Sequence, residues 1–537
     1  MQESRATPRR VSRRGVLKAT AAGAIASLVA TNTSSTAAGV APARPRAMPA
    51  ALVRQNVDPD FRRLDEMIRE ALGRYAVPGL AVGVLHDGRE YTNGYGVTNR
   101  NAPLPVDAQT LMQAGSITKT YTATLIMRLV EMGQVDLDAP VRRYLPDLQL
   151  ADEAVAQQVT VRQLLNHTAG WFGDYYGPPP SDLEPTVWPW RGDDAVARYV
   201  ANMRYLPQLA PLGAMFGYNN AAVVLAGHVA EAVTGMTYEA ALTELLLRPL
   251  GMESTYLFPE EAITYPVAAG HEVGADGIAQ VSPIWALPRC VHATGGVILP
   301  ITDQLTYARF HLGDGRAADG TRLLAPSLMT EMRTARGPGM AGAITANAEI
   351  YGGGVGWALE RIDGVQIVTH NGGTVGQAAV LAMVPERQFA IAVLTNARPD
   401  GERLHYEIST WALAELAGLR QSLPPTYDLP AARLAEYTGR YGVNVDVPGG
   451  GGETQVIEVA ADGGGLRVTV FGTDETDAAP TAELTPRGPV SRLAFFRDDA
   501  ALVTTGDETA LGADFVRDGN GRVRWFRWGA RVVPRLE

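Results

Sequence analysis

Cysteine and lysine are almost absent from this chain of 537 residues. The only cysteine is Cys290, which excludes an intrachain disulfide and the cysteine-based zinc sites, so the fold must depend on its packed core. Of the 47 lysine and arginine residues, only Lys18 and Lys119 are lysines, and the other 45 are arginines. Arginine keeps its proton inside a protein, whereas a desolvated lysine can lose it. Lys119 therefore either marks a position that needs a neutral amine or is a chance survivor on a helix surface.

Composition and charge exclude several classes of protein. Hydrophobic residues make up 46% of the chain and charged residues 19%, which is typical of a globular protein. The net charge is −10, and because residues 1–43 carry +5, the remainder carries −15. An acidic body argues against nucleic acid as a partner. The eight histidines are scattered without a His-Glu-x-x-His pattern, so no metal and no other cofactor is predicted.

The N-terminus has the pattern of an export signal. The sequence SRRGVLK at 12–18 resembles a twin-arginine signal, a mildly apolar run follows over 19–30, and Ala-Pro-Ala at 41–43 fits a cleavage site. The apolar run is too short and too rich in alanine to span a bilayer. We therefore expect an exported protein that loses residues 1–43, keeps no stable membrane span and continues with a linker over 44–57. The alternative is a disordered basic tail.

The order of the predicted elements indicates an α+β fold. In chain order they are a helix from about Asp58, strands over 79–97, helices over 116–132 and 221–233, strands over 379–397 and a helix over 403–416. This order predicts one domain over 58–420. Its antiparallel sheet is completed by both ends of the domain and flanked by helices, and a helical region is inserted between the two halves.

The composition changes after about Gln421. A Ser-Leu-Pro-Pro segment opens a linker over 421–430, and short β-prone runs separated by glycine turns, such as 449–452, occupy 431–537. These runs, including 454–460, 466–472 and 522–528, predict a small all-β barrel or sandwich. No motif in this second domain suggests chemistry.

Residues 171–193 are rich in proline and aromatic side chains, and we predict a long irregular loop there. Such loops often line sites, although a packed surface loop without a role is an equal alternative. Trp171, Tyr175, Trp188 and Trp190 are candidates for an aromatic substrate wall.

The candidate chemistry begins at Ser116, three residues before Lys119. If Ser116 opens a helix, the two side chains lie on the same face, one turn apart. The electropositive helix start favours a developing alkoxide on Ser116, and the same field together with burial lowers the pKa of Lys119. A neutral amine beside a hydroxyl can take its proton, which is the logic of a Ser-Lys nucleophile. The Ser-x-x-Lys pattern alone is weak.

Two further motifs strengthen this hypothesis. Tyr218 and Asn220 form a Tyr-x-Asn before a helix; the phenol can share the proton with Lys119 and the amide can hold Lys119 or a substrate carbonyl. Alternatively, Asn220 caps the helix and Tyr218 belongs to the core. His370 and Gly372-Gly373 lie on a predicted edge strand, where glycine permits a close approach of a substrate backbone. The N–H of Gly373, paired with that of Ser116, can bind an oxyanion.

These three motifs, in this order, resemble the serine β-lactamase and penicillin-binding-protein superfamily. The similarity is greatest to the class C-like group of β-lactamase-related serine hydrolases, which includes D-aminopeptidases, DD-carboxypeptidase-like enzymes and esterases. It extends over about 58–418 through LLNHTAG at 164–170, LRPLGMEST at 247–255, TGGV at 294–297 and GGVGWAL at 353–359. The second domain, with EYTGRYG at 436–442, resembles the lipocalin-like domain often attached to these hydrolases.

The resemblance implies functions for the motif residues. Ser116 would be the acyl-forming nucleophile, Lys119 and Tyr218 would exchange protons, and Asn220 would contact the substrate. His370 takes the place of the lysine in the Lys-Thr-Gly triad of true penicillin targets. A largely neutral histidine binds a substrate carboxylate less well than an ammonium does, so esters, amides or D-amino peptides are favoured over β-lactams.

We therefore expect an enzyme that acts on a small-molecule or peptide substrate through an acyl-enzyme. A second hypothesis is a slowly acylated penicillin-binding sensor or binding protein on the same fold; the complete Ser/Lys/Tyr/Asn set argues against it. An α/β-hydrolase is excluded, because Ser116 is not in a G-x-S-x-G motif. His167 is interpreted as a structural histidine rather than a catalytic one.

Overall fold

The computed structural model describes residues 59–179, 188–339, 348–448, 453–472, 485–486, 490–504 and 512–536. Three predicted features lie outside these ranges: the export signal over 1–43, the linker over 44–57 and the glycine turn over 449–452. The middle of the predicted 171–193 loop, residues 180–187, also lies outside them.

Helices surround the main sheet of the first domain and form its inserted region. In chain order they are α1 (Pro59–Leu72), α2 (Thr118–Glu131), α3 (Glu153–Gln158), α4 (Val161–Leu165), α5 (Ala195–Asn202), α6 (Asn220–Thr234), α7 (Tyr238–Leu242), α8 (Pro259–Ala262), α9 (His292–Gly295), α10 (Ile301–Leu312), α11 (Pro326–Met332), α12 (Asp400–Glu415) and, in the second domain, α13 (Ala431–Tyr437). None of the helices in the described ranges is long and apolar enough to cross a membrane.

The strands of the first domain are β1 (Gly79–His86), β2 (Arg89–Gly96), β3 (Met112–Gln113), β4 (His271–Val273), β5 (Ala279–Val281), β6 (Ile298–Leu299), β7 (Ala348–Gly353), β8 (Ala358–Ile362), β9 (Val365–Thr374), β10 (Gln377–Val384), β11 (Phe389–Thr395) and β12 (Ala397–Arg398). Those of the second domain are β13 (Gly439–Val445), β14 (Glu453–Asp462), β15 (Gly465–Gly472), β16 (Thr485–Pro486), β17 (Ser491–Arg497), β18 (Ala500–Val503), β19 (Gly512–Arg517), β20 (Val523–Trp528) and β21 (Arg531–Pro534).

The main sheet joins the two ends of the first domain. Its seven antiparallel strands follow the order β2-β1-β11-β10-β9-β8-β7, in which β1 pairs with β11, for example Val82 with Val393. The intervening chain supplies most of the helices. The predicted α+β fold class is thus confirmed, including the sheet assembled from both ends and the inserted helical region.

Both faces of this sheet are covered, which explains the continuous apolar run of β11. Phe389, Ile391 and Val393 pack with α1 and α12 on one face, while Ala390 and Leu394 belong to the core on the other face. Strands that are buried on both sides carry no polar alternation. The core on the face of Ala390 and Leu394 also contains α2 and α10, and α2 is buried along most of its length.

The second domain is an antiparallel, nearly closed sheet. Its strand order is β13-β14-β15-β17-β18-β19-β20-β21, with β16 beside β15. The chain end returns to the first strand, because Tyr441 pairs with Arg535 and the Leu536 N–H donates to the Arg440 carbonyl at 2.8 Å. Leu434 and Tyr437 of α13 fill its core. The predicted all-β second domain is therefore confirmed, with one short helix that the sequence pattern did not predict.

Asn396, directly after β11, generates a stability prediction because it ties the two halves of the main sheet together. Its side chain is fully buried; Oδ1 accepts from Gly79 N at 2.7 Å, and Nδ2 donates to the Val97 and Thr98 carbonyls at 3.0 and 3.1 Å. Asn396→Ala leaves Gly79 N and the Val97 carbonyl without this partner, while the Thr98 carbonyl keeps the Ala269 N–H at 2.9 Å, so the free energy of unfolding should fall by about 2 kcal/mol or more. Urea denaturation measures this loss. The exposed Asn444→Ala is the control, and equal loss in both variants would contradict the assignment.

Candidate active site

Ser116 and Lys119 meet at the start of the buried helix α2. Ser116 lies in a 3₁₀ turn over Gly115–Ile117, not in the α-helix itself, and Lys119 lies in the first turn of α2. Lys119 Nζ is 2.9 Å from Ser116 Oγ and donates to the Thr294 carbonyl, also at 2.9 Å. Ser116 is half-buried, whereas Lys119 is only 1% exposed. The hydroxyl is thus accessible while the amine beneath it is not.

The environment of Lys119 favours the neutral amine. Burial lowers the pKa of Lys119 well below its ordinary value; the positive charge of Arg531 lowers it further, and the negative charge of Asp174 opposes the shift. Removal of water disfavours the charged form of a basic group, and a nearby cation adds to this effect. At this position the amine has the proton affinity that a base for Ser116 requires.

Tyr218 completes the group around the hydroxyl. Burial raises the pKa of the Tyr218 phenol well above its ordinary value, and the charge of Arg531 and the adjacent Ser116 hydroxyl oppose this shift. Lys119 Nζ lies 4.9 Å from the centre of the Tyr218 ring. The phenol is therefore protonated near neutral pH, so it acts first as a proton donor.

Asn220 is the first residue of α6 and does not cap it. Asn219 is the cap, because its side chain accepts from Ala222 N at 2.8 Å. The alternative interpretation of Asn220 as a helix cap is therefore wrong. The buried Asn220 amide donates to Asp174 Oδ1 at 2.7 Å and to the Tyr176 hydroxyl at 3.1 Å.

The third motif brings strand β9 against the Ser116 turn. The prediction of an edge strand is wrong for β9 as a whole, which lies between β10 and β8, although its pairing with β8 ends at Thr369, before His370. A Cβ on Gly372 would lie 2.0 Å from the Ala114 carbonyl oxygen, and one on Gly115 would lie 2.6 Å from Gly373 N. Gly115 also has a φ of +53°, which favours glycine. The backbones touch because no side chain intervenes, and the backbone nitrogen of Gly373 lies beside the turn that carries Ser116.

His370, on the same strand, is buried and neutral. Its Nδ1 donates to the Asn371 carbonyl at 2.6 Å. Burial and the neighbouring Lys119 lower the pKa of His370 to about 3. The strand therefore presents no cation at this position. The nearest guanidinium along β9, that of Arg398, is paired with Glu402 at 2.6 Å.

His167 packs against Tyr218 and contacts the start of α6. Its ring is 4.5 Å from that of Tyr218, and its Nδ1 accepts from Asn219 N at 3.1 Å. Burial lowers the pKa of His167 well below its ordinary value. A neutral ring that holds Tyr218 and the start of α6 fits the structural interpretation.

Two of the four residues predicted to form an aromatic wall belong to the core instead. Trp171 and Tyr175 are buried in the core of the first domain, at 4% and 0% exposure, so they are core residues. Trp188 and Trp190 are half-buried. The alternation of aromatic and proline residues indicates an irregular segment but does not show which rings face inward.

Two charged residues of the site were not predicted. Asp174 comes from the proline-rich loop, and Arg531 comes from β21 of the second domain, which the sequence suggested to be without chemistry. Arg531 Nε lies 3.0 Å from Asp174 Oδ2, and its guanidinium carbon is 4.5 Å from the centre of the Tyr218 ring. No local pattern could have linked residues 357 positions apart.

Comparison with known proteins places this geometry in a family. The profile of the Beta-lactamase family matches residues 64–415, so the chain belongs to the β-lactamase family. Penicillin-binding protein 4 of Amycolatopsis lactamdurans is 35% identical over 359 residues, which cover 66% of this chain and 89% of that protein.

Solved structures extend the similarity. The crystal structure of SurE is 27% identical, with a TM-score of 0.64 and coverage of 89% of this chain and 99% of that chain. A D-stereospecific amidohydrolase from Streptomyces sp. is 25% identical, with a TM-score of 0.52 and coverage of 66% and 98%. The match to SurE thus exceeds the family region and includes most of the second domain.

The contact between β9 and the Ser116 turn gives a prediction. In Gly372→Ala the new methyl group must push the strand away from Ser116, which removes an N–H donor from the site. We expect labelling of Ser116 by a fluorophosphonate to slow by about 10²–10³-fold, the usual effect of losing one such donor, with the fold retained. Gly519→Ala is the matched control, because nothing lies within 4 Å of its Cβ. Labelling at the unaltered rate in Gly372→Ala would show that the contact is irrelevant to reaction.

Proposed function

We propose that the chain is a serine hydrolase that cleaves amide or ester bonds through an acyl-enzyme on Ser116. The observation that carries the proposal is the buried amine of Lys119, 2.9 Å from the Ser116 hydroxyl and with its pKa lowered well below the ordinary value by burial. A serine is a weak nucleophile until an adjacent base takes its proton, and a neutral amine is such a base.

In the acylation step, Ser116 Oγ attacks the substrate carbonyl carbon while its proton passes to Lys119 Nζ. The carbonyl oxygen becomes an oxyanion, which the backbone N–H groups of Ser116 and Gly373 stabilise. Tyr218 then passes its phenolic proton to the leaving amine or alcohol, and Lys119 returns a proton to Tyr218. The products of this step are the acyl-enzyme and a released amine or alcohol.

In the deacylation step, water takes the place of the leaving group and the proton transfers run in the reverse sense. The water gives a proton to the Tyr218–Lys119 pair as it attacks the ester carbonyl, and Ser116 receives a proton as the acid departs. The amide N–H groups of Asn220 are held by Asp174 and Tyr176, so Asn220 contacts the substrate through its Oδ1, which can accept a hydrogen bond from a substrate N–H.

A D-amino-acid amide or peptide is the substrate class best supported. A neutral His370 and a paired Arg398 leave β9 without a free ammonium for the carboxylate of a β-lactam. The similarity to a D-stereospecific amidohydrolase, and to a SurE structure that contains D-Leu, supports an amide with a D-configured residue. The similarity to a penicillin-binding protein favours a second candidate, a slowly acylated penicillin-binding sensor.

A substrate panel tests the proposal. D-Ala-p-nitroanilide, its L enantiomer, p-nitrophenyl esters and nitrocefin separate amidase, esterase and lactamase activity. We expect turnover of the D-anilide above the L form and little hydrolysis of nitrocefin. A stoichiometric penicillin adduct without turnover of any substrate would instead establish the sensor.

Substitution of the proposed nucleophile and base gives a second prediction. Lys119→Arg replaces the neutral amine by a guanidinium that cannot lose its proton, so kcat should fall by at least about 10²-fold while the thermal unfolding midpoint shows a folded protein. Ser116→Ala should abolish the fluorophosphonate adduct, measured by intact mass. Retention of more than about a tenth of kcat in Lys119→Arg would contradict its role as base.

The activity of the unaltered enzyme should also rise with pH. Lys119 must be unprotonated, so kcat/KM rises with pH and is lost as pH falls through the lowered pKa of Lys119. This acid limb should lie well below the ordinary lysine value of about 10.4. A pH profile that is flat from pH 5 to 10 in Lys119-containing enzyme would argue against an amine as the base.

We also propose that the protein is exported in folded form through its twin-arginine signal. The absence of any possible intrachain disulfide suits a chain that folds before export. Replacing Arg13 and Arg14 by lysines should leave the full-length chain in the cytoplasm, as fractionation and intact mass would show. Unaltered export of this variant would contradict the proposal.

A further inference from the structure

The second domain reaches the active site through one hairpin. Strands β20 and β21 are joined by the turn Gly529-Ala530, and both turn residues have a positive φ. The Ala530 carbonyl accepts from Tyr218 N at 2.8 Å, and a Cβ on Gly217 would lie 3.0 Å from a methyl group of Val532. The hairpin is therefore docked against the segment that carries Tyr218.

Arg531, at the start of β21, makes three hydrogen bonds at this contact. Its Nε and Nη2 donate to the two carboxylate oxygens of Asp174 at 3.0 and 3.2 Å, and Nη1 donates to the Gly529 carbonyl at 3.2 Å. The side chains of Arg531 and Asp174 are 16% and 4% exposed. The guanidinium is thus fixed in place by its partners and shielded from water.

We propose that Arg531 is a positioning residue that activates the nucleophile from the second domain. Its fixed charge adds to burial in keeping the amine of Lys119 neutral, and its ion pair with Asp174 orients the amide of Asn220. The inference rests on the proposed function, since it assigns Lys119 the role of base.

The first part of the inference follows from the shared ring of Tyr218. The Arg531 guanidinium carbon lies 4.5 Å from the ring centre and Lys119 Nζ lies 4.9 Å from it. Two positive charges in one buried site repel each other, and the arginine cannot release its proton. The lysine therefore releases its own. Asp174 acts in the opposite direction, because its negative charge favours the ammonium.

The other groups that face Lys119 do not compete with this pair. They are His370 on β9, His167 after α4 and the phenol of Tyr218, together with the phenol of Tyr176 beside Asp174. Burial lowers the pKa of each histidine and raises that of each phenol. All four are uncharged near neutral pH, which leaves Arg531 and Asp174 as the charges that set the proton affinity of Lys119.

The second part follows from the contacts of Asp174. Its Oδ1 accepts from Arg531 and also from Asn220 Nδ2, which is 2.7 Å away. The other contact of the Asn220 amide nitrogen, at 3.1 Å, is the hydroxyl of Tyr176. Both hydrogens of the amide are therefore directed at fixed partners. A carboxylate that is held by Arg531 keeps the amide in one orientation.

Because lysine is so rare in this chain, the pKa of Lys119 can be measured directly. In a Lys18→Arg background Lys119 is the only lysine of the chain, so a [13Cε]lysine label gives one NMR signal whose titration is that of Lys119. Arg531→Gln should raise this pKa by about one pH unit or more, because a cation is lost and Asp174 remains. Asp174→Asn should lower it. The double variant should return toward the unaltered value.

Two further variants separate charge from structure. Arg531→Lys keeps a cation but not the two-point contact, and it adds a second lysine signal, which is identified as the one absent from the protein with Arg531. The Lys119 titration should resemble that of the unaltered protein, while kcat falls because the amide of Asn220 is held less firmly. Trp525→Phe is the matched control: it removes another bond across the same interface, from Trp525 Nε1 to the Leu209 carbonyl at 2.8 Å. It should change neither the titration nor kcat. Thermal unfolding confirms that each variant is folded.

The rate of Ser116 labelling by a fluorophosphonate, measured against pH, gives the functional counterpart. The acid limb should move with the NMR titration, so at acidic pH Arg531→Gln should react about tenfold more slowly for each pH unit by which the limb moves. Changes of the same sign in Arg531→Gln and Asp174→Asn, or no change in either, would overturn the inference. A further outcome would also overturn the inference: in Arg531→Gln the titration of Lys119 is unchanged, and KM rises only for substrates with a free carboxylate. Arg531 would then bind the substrate rather than set the state of Lys119.

These outcomes are distinct from failure of the proposed function. An unaltered protein that is never labelled at Ser116 would refute the proposed hydrolase, and the lysine titration would still decide whether Arg531 sets the state of Lys119. A labelled protein whose acid limb does not respond to Arg531→Gln would refute only the inference made here.

Discussion

The amine of Lys119 is enclosed by protein and lies 2.9 Å from the hydroxyl of Ser116. An ammonium in this place would lose its hydration without gaining a carboxylate partner within bonding distance, which costs several kcal/mol. The rest of the site is built to accept an uncharged amine instead. The Thr294 carbonyl takes one N–H, the Tyr218 ring covers the nitrogen, and the residues of β9 that touch the turn are glycines. In the proposed mechanism, chemistry at Ser116 depends on this one proton being absent.

The parts of the site that lie within a few residues of each other could be predicted from the sequence. Ser116 and Lys119 are one helical turn apart, and such a spacing places two side chains on one face whether the turn is α-helical or 3₁₀. The glycines of β9 could be predicted because a close backbone approach excludes every other residue. The same holds for the fold, since the hairpins and amphipathic helices that predict the main sheet are local patterns.

Features that depend on distant contacts could not be predicted. Two consecutive asparagines stand at the start of α6, and only the loop that carries Asp174 decides that Asn219 caps the helix while Asn220 faces the site. The aromatic residues of the proline-rich loop have similar hydrophobicity, yet Trp171 is buried and Trp190 is not fully so. Arg531 is one of 45 arginines, and nothing in its strand distinguishes it from arginines that point to solvent.

The buried pair of Arg531 and Asp174 is hard to explain by stability alone. Desolvation offsets most of the Coulomb attraction in such pairs, and apolar residues of similar volume are often at least as stabilising. The hairpin has other anchors as well, since Arg527 donates to the Phe216 carbonyl at 2.7 Å and Trp525 to that of Leu209. What an apolar replacement cannot supply is a permanent positive charge beside Tyr218. Docking of the second domain and the proton affinity of Lys119 are therefore linked: a state with the hairpin withdrawn would bind a proton on Lys119 more tightly and would leave Ser116 without its base.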